Sequence, residues 1–222
     1  MSIQRVLPLL FALTLAVSGE AVAQHSAGGP HGLFSGSTDI GKTQPGSNVY
    51  DAASKTYRVT GGGADMWGAA DDFRLSWTKV SGDAMLSADI KFGPGEHAKL
   101  EKAVLIFRQS LEPGSAYADN AIHADGHITL QYRTSTGAKT DDITAAEHTS
   151  QRLRIERSGN KFTAYTGSAD GKWTSFASST VEMQDPVYVG LGVCSHNTDG
   201  VTTANFSNVT IKQASKPPAV KK

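Results

Sequence analysis

The property that most limits this chain's fold is a rhythm. Short runs rich in β-branched and aromatic residues recur along most of its length, and turn chemistry interrupts them at intervals of about 8–12 residues. The runs are Lys55–Val59, Phe73–Val80, Ala84–Phe92, Ala103–Ser110, Ala116–His123, His127–Thr134, Gln151–Arg157, Lys161–Gly167, Ser175–Val181, Val187–Cys194 and Thr202–Lys212, with an ordered start near Phe34–Asp39. Between them stand SGD, GPGE, EPGS, ADG, STG, RSGN, SADGK, QDP and NTDG, each supplying Gly, Pro, Asn or Asp where a bend requires it. No segment sustains a helical period. That many strands without βαβ alternation predict an all-β domain over residues 34–212, two antiparallel sheets packed as a sandwich or jelly roll.

Period-two alternation then assigns the faces. Ala103, Leu105 and Phe107 share one side of their strand, and Val104, Ile106 and Arg108 share the other. Ile128, Leu130 and Tyr132 oppose Thr129, Gln131 and Arg133, while Val187, Val189, Leu191 and Val193 oppose Tyr188, Gly190, Gly192 and Cys194. The apolar sets are expected to meet between the sheets. The opposite face would hold Arg108, Gln131 and Arg133, with Gly190 and Gly192 leaving bare backbone on which a ligand has room to lie.

The two ends read differently from the middle. Met1–Ala23 has one Arg, an apolar run from Val6 to Val17 and a closing Ala21-Val22-Ala23, the pattern of a cleaved signal peptide, so export to a periplasm or the medium is expected. That run is shorter than the roughly 20 apolar residues a membrane-spanning helix needs, and no later stretch comes near it, so no membrane span is expected. Residues 24–33, with His25 and His31 among Gly and small residues, read as a flexible leader, and residues 213–222 as a disordered basic tail. The chain has 21 Lys and Arg against 21 Asp and Glu, and loss of the signal removes one of each sign. Without a basic surplus to release counterions, nucleic acid is not an expected partner. The lone Cys194 has no internal disulfide partner, so the core must stabilise the fold alone.

Chemistry concentrates in Gly61–Trp77, GGGADMWGAADDFRLSW. The glycines permit tight bends, and Asp65, Asp71 and Asp72 place carboxylates beside Trp67, which suits the rim of a ligand or metal site. The plainer reading makes the tryptophans packing residues and the acids turn formers.

In order along the chain come Y-x-V-x-GGGADMWG-x-x-D-x-F, SGD, A-V-L-I-F-R-Q-S-L, QYRT, RSGN-x-F-x-x-Y-x-x-S-x-DG-x-W and V-G-L-x-V-x-SHN. Together these resemble the DUF1349-like, concanavalin A-like lectin/glucanase sandwich domains of secreted bacterial proteins, from about Phe34 to Ile211. The resemblance implies a jelly roll with a concave sheet where sugars often bind. It points to Asp65, Trp67, Arg108, Arg133, His196 and Asn197 as residues able to touch a ligand, and alternation adds Gln131. Trp67 would stack on a sugar face, and the arginines and Asn197 would donate to hydroxyls or a carboxylate. Alternatively, the arginines hold a buried carboxylate such as Asp72 or Asp89, and Ser195-His196-Asn197 fixes a strand end. Such domains often pin loops with calcium, for which Asp39, Asp65 and Asp71 are the candidate ligands.

Catalytic patterns are weak. A retaining glycosidase needs two carboxylates about 5 Å apart, commonly from alternate residues of one strand, and no such strand is present. Gly-x-Ser-x-Gly is absent, Ser195 next to His196 is mere adjacency, and Cys194 reads as a packing residue. The expectation is therefore a binding or accessory module for carbohydrate or a cell-envelope glycan. The rivals are a saccharide hydrolase or lyase in which Arg108, Arg133, His196 and Asp65 act as charge stabilisers and base, and a domain that docks to another envelope protein.

Overall fold

The computed structural model describes residues 31–146 and 149–214. The predicted signal peptide, most of the leader and nearly all of the tail lie outside the described residues. In chain order the strands are β1 (Gly36–Ile40), β2 (Ser47–Asp51), β3 (Thr56–Gly63), β4 (Met66–Trp67), β5 (Ala70–Asp71), β6 (Phe73–Val80), β7 (Ala84–Phe92) and β8 (Lys102–Arg108). They continue as β9 (Tyr117–His123), β10 (Ile128–Arg133), β11 (Asp141–Thr144), β12 (Arg152–Ser158), β13 (Lys161–Gly167), β14 (Trp173–Thr180), β15 (Val187–Cys194) and β16 (Asn197–Gln213). Among the described residues no helix is long and apolar enough to cross a membrane.

The strands make two antiparallel sheets of seven. One runs β1-β6-β15-β8-β9-β10-β11 and the other β14-β13-β12-β7-β16-β3-β2, with β4 and β5 forming a separate hairpin. This is the all-β jelly-roll sandwich that the turn rhythm predicts. Its inner layer is the expected one: Ala103, Leu105, Phe107, Ile128, Leu130, Val187, Val189, Leu191 and Val193 meet Leu86, Leu153, Ile155, Phe162 and Phe206 of the other sheet. One polar side chain crosses that layer. Asn120, fully buried, donates its amide to the carbonyls of Arg154 and Tyr165 at 2.9 Å each, tying β9 to the opposite sheet.

The outer face of the first sheet departs from expectation. A second apolar cluster sits there, in which Met66 of the hairpin packs on Phe73, Leu75, Val104, Ile106, Tyr117, Ala121 and Cys194. The hairpin therefore covers the middle of the face that alternation leaves open. Burying Met66 completely contributes roughly 1.5–3 kcal/mol toward holding it down. Gly192 is not bare backbone with room above it, because a Cβ there would lie 2.7 Å from Val104 and 2.9 Å from Phe73. The glycine is what lets β15 accept this close layer. Gly63 serves another purpose. Its φ of 116° turns the chain out of β3 into the hairpin while its α-carbon passes against the backbone of Asp72.

Candidate functional site

The two arginines expected to greet a ligand do something else. Arg108 and Arg133 project from the outer face of β8 and β10, but both are fully buried, as is Asp71 of the hairpin. Asp71 Oδ2 accepts from Arg108 Nη1 at 2.6 Å and from Arg133 Nη1 at 2.9 Å, and its Oδ1 accepts from Arg133 Nη2 at 2.6 Å. The other guanidinium hydrogen bonds run to backbone carbonyls and, from Arg133, to the Thr140 hydroxyl. Arg108 reaches Ser110 and Glu112, and Arg133 reaches Gly68, Pro113, Ser115 and Ala138. The ring of Tyr117 lies between them, 5.8 Å from one guanidinium and 5.0 Å from the other. Both cations are fully buried and turned onto Asp71 and backbone carbonyls, out of a ligand's reach, so their assignment as binding residues is corrected. The carboxylate they hold is Asp71, not Asp72 or Asp89. Asp72 accepts the amide of Lys42, and Asp89 pairs with Arg152.

What this network does is mechanical. It pins the hairpin, the β8–β9 connection and the β10–β11 connection to one end of the sheet, and so fixes where Trp67 stands. Trp67 is the most exposed of the Phe, Tyr and Trp side chains among the described residues, at 41%. Its indole forms a lip over a trough of about 280 Å³ at the other end of the outer face. The floor comes from three neighbouring strands in register: Lys102 on β8, His123 on β9, and Thr129 and Gln131 on β10. Asp65, His196, Leu100, His127 and Asp142 complete the walls.

The charges in the trough are already engaged. Lys102 Nζ lies 2.5 Å from Asp65 Oδ1 and donates to the Met66 carbonyl at 3.3 Å and to Gln131 Oε1 at 3.4 Å. Asp65 also faces His196 Nε2 at 3.4 Å, and the backbone of His196 is left-handed, with φ 52°. His127 pairs with Asp125 and stacks on His123 with ring centroids 3.7 Å apart. Burial, with His127 and Lys102 adding to it, pushes the His123 imidazole down to about 3, so this ring stays neutral. Deeper, beneath the hairpin, burial drives Asp119 well above the usual carboxylate range, and neither of its oxygens makes a well-formed hydrogen bond among the described residues.

Of the predicted site residues, Asp65, Trp67, Gln131 and His196 converge on the trough. Asn197 does not. Its Oδ1 accepts the amide of Asp199, and it lines a separate depression of about 440 Å³ beyond His196, so it is corrected to a turn-forming role. Ser195 supports the same turn, donating to the carbonyls of Asn197 and Gly200 at 2.9 Å each. A third hollow, about 550 Å³, borders the β7–β8 loop, which His97, Glu101 and Thr202 clasp together. Both hollows are larger than the trough, but neither is lined by an aromatic ring other than histidine, so the trough is the better candidate for ligand recognition.

The calcium candidates are also separated. Asp39 pairs with Arg74 at 3.1 Å, Asp65 with Lys102, and Asp71 with the buried arginines, and no acid and histidine cluster fit for a metal occurs among the described residues. Each of the three acids read as calcium candidates is thus engaged by a different cation. Lys102, His123, Thr129 and Asp142 are not among the predicted site residues. Extending alternation two residues back from Val104 puts Lys102 on the outer face, where alternation already puts Thr129, and strand register sets His123 opposite Lys102. Asp142 stands on a strand that carries no sequence signal of its own.

No family model matches the sequence, and no curated protein does. Solved structures do resemble it. A functionally unknown protein from Saccharomyces cerevisiae superposes with a TM-score of 0.62 at 16% identity, over 81% of this chain and 97% of that one. The carbohydrate binding module CBM66 from Bacillus subtilis gives a TM-score of 0.50 at 17% identity, over 81% and 97%. The GH43 protein BlXynB from Bacillus licheniformis gives 0.51 at 13% identity, over 72% of this chain and 33% of that one. At these identities the likeness is one of fold, the concanavalin A-like jelly roll.

Proposed function

We propose that this chain is an exported, DUF1349-like binding module for carbohydrate or a cell-envelope glycan, without chemistry of its own, and that the trough beneath Trp67 is where the sugar sits. The observation that carries this reading is the exposed indole held over a polar floor by a buried ion network. An aromatic face turned to solvent at the rim of a polar trough suits the C–H face of a sugar ring, with Asp65, His127, Asp142 and His196 on the accessible walls for its hydroxyls and Thr129 and Gln131 nearly buried in the floor. The shared fold with a carbohydrate binding module supports the same reading by analogy only. The catalytic rival is weakened, because Arg108 and Arg133, its charge stabilisers, are consumed inside the protein.

The test is retention on a panel of immobilised polysaccharides, comparing the mature chain with Trp67→Ala. Retention on at least one glycan, reduced at least tenfold by the substitution while the unfolding midpoint stays near wild type, supports the reading. Retention on none, or retention indifferent to Trp67, defeats it. Release of soluble sugar by the wild-type chain would instead favour a hydrolase or lyase.

A further inference from the structure

We infer that the trough is built for uncharged sugar units and discriminates against uronates and other carboxylated glycans. The inference rests on the glycan-binding reading of the trough and specifies its ligand.

It follows from the charges around the cavity. A site for an acidic sugar needs a cation with a free donor aimed at the ligand carboxylate, as Arg or Lys provides in carboxylate recognition. The one Lys or Arg among the lining residues has no free donor, and the partly exposed histidines each face a carboxylate. The Lys102 side chain is about 3% exposed, and its ammonium is held by Asp65, the Met66 carbonyl and Gln131. His196 faces the same Asp65, and His127 faces Asp125. His123 is neutral, sealed by burial and by the ring stacked on it. The arginines that would have served are closed off around Asp71.

The negative side is not balanced in the same way. Asp142 stands exposed on the β11 wall, accepts only the Thr144 hydroxyl at 3.3 Å, and has no cation within ion-pairing distance among the described residues. A uronate entering the trough would therefore lose water from its carboxylate, gain no counter-charge and approach Asp142. A neutral pyranose meets none of these penalties. Its ring lies against Trp67, and its hydroxyls exchange water for His196 and the carboxylates of Asp65 and Asp142, which accept hydroxyl hydrogen bonds well.

The experiment measures binding of the mature chain to neutral polymers (a soluble β-glucan, a xylan, a mannan) and to two polyuronates (polygalacturonate and alginate), at low and at 0.5 M salt. Asp142→Asn and Trp67→Ala serve as variants. Among the described residues the Asp142 side chain bonds only Thr144 of its own strand, so Asp142→Asn should leave the unfolding midpoint near wild type, which is measured alongside. We expect at least one neutral polymer to bind in a Trp67-dependent, salt-insensitive manner and the polyuronates to bind at least tenfold more weakly. Asp142→Asn should narrow that gap, taken as the ratio of neutral to polyuronate affinity within each variant, at least threefold. Trp67-dependent binding of a polyuronate as tight as the best neutral polymer overturns the charge discrimination and leaves the sugar site standing. A gap that Asp142→Asn does not narrow also overturns it. If no polymer of either kind binds, the glycan reading falls and takes this inference with it.

Discussion

Replacing Asp71 by Asn puts the central structural claim at risk, because the side chain keeps its shape and loses its charge. Three charge-assisted hydrogen bonds end on this carboxylate, and both guanidiniums behind it are fully buried. Removing one partner of a buried ion pair costs about 3–5 kcal/mol, since the other charge is left without compensation. Here two cations are stranded and the new amide turns a donor toward one of them, but the carbonyls around both remain. We therefore expect a loss of about 4 kcal/mol. For a domain of this size each kcal/mol lowers the melting temperature by about 2–4 °C, so the fall should be about 8–16 °C. Guanidinium unfolding followed by tryptophan fluorescence gives the number directly. Asp89→Asn is the reference, because its pair with Arg152 is about a third exposed on both sides and should cost under about 1 kcal/mol. If Asp71→Asn loses no more than Asp89→Asn, the network does not hold the hairpin and the account of Trp67's placement is wrong.

Other outcomes follow from single residues. His123 has its imidazole held down at about 3, so between that value and 6.5 only the unfolded chain takes up its proton. Stability must then fall on acidification below pH 6.5, by up to about 1.4 kcal/mol per pH unit, and His123→Gln should flatten that slope in urea titrations run from about pH 7 to 4. An unchanged slope would place the acid sensitivity elsewhere. Gly192→Ala forces a methyl group against Val104 and Phe73 and should cost about 1–3 kcal/mol; an unshifted thermal melt would show that β15 has slack there. Cys194 is fully buried and its thiol is pushed up to about 12, so a disulfide-exchange reagent at about pH 8 should label it only after unfolding. Rapid labelling of the native protein would contradict that burial.

Much of the sandwich is legible in the sequence because alternation is a local property. β6, β7, β13 and β15 begin and end where the residue pattern puts them, and the inner faces of β8, β10 and β15 are those the pattern assigns. Period two tells which side of a strand a residue occupies, and nothing about what lies on top of it. That is why alternation puts Arg108 and Arg133 on the correct face and still suggests the wrong role for them. Their partner arrives from a hairpin of two-residue strands, too short to carry a periodic signal, 37 and 62 positions away in sequence. β2 and β11 escape the pattern because each has few apolar residues and sits at a sheet edge, where half-exposed side chains blur the alternation. In the trough, Trp67 and Asp65 stand out in the sequence as an unusual mixture within a glycine run. Lys102 and His123 become visible only once strand register places them side by side.

The hairpin divides labour between neighbouring residues in a way that matters for protein engineering. Asp71 is its foundation, clamped from two strands below, and the Gly68 carbonyl joins that clamp by accepting from Arg133, while the side chain at position 67 projects to solvent. Whatever amino acid occupies position 67 is delivered to the same spot, because the clamp does not consult it. New selectivities can therefore be screened by randomising position 67 alone, with Gly68 kept because its φ of 61° and its carbonyl belong to the clamp.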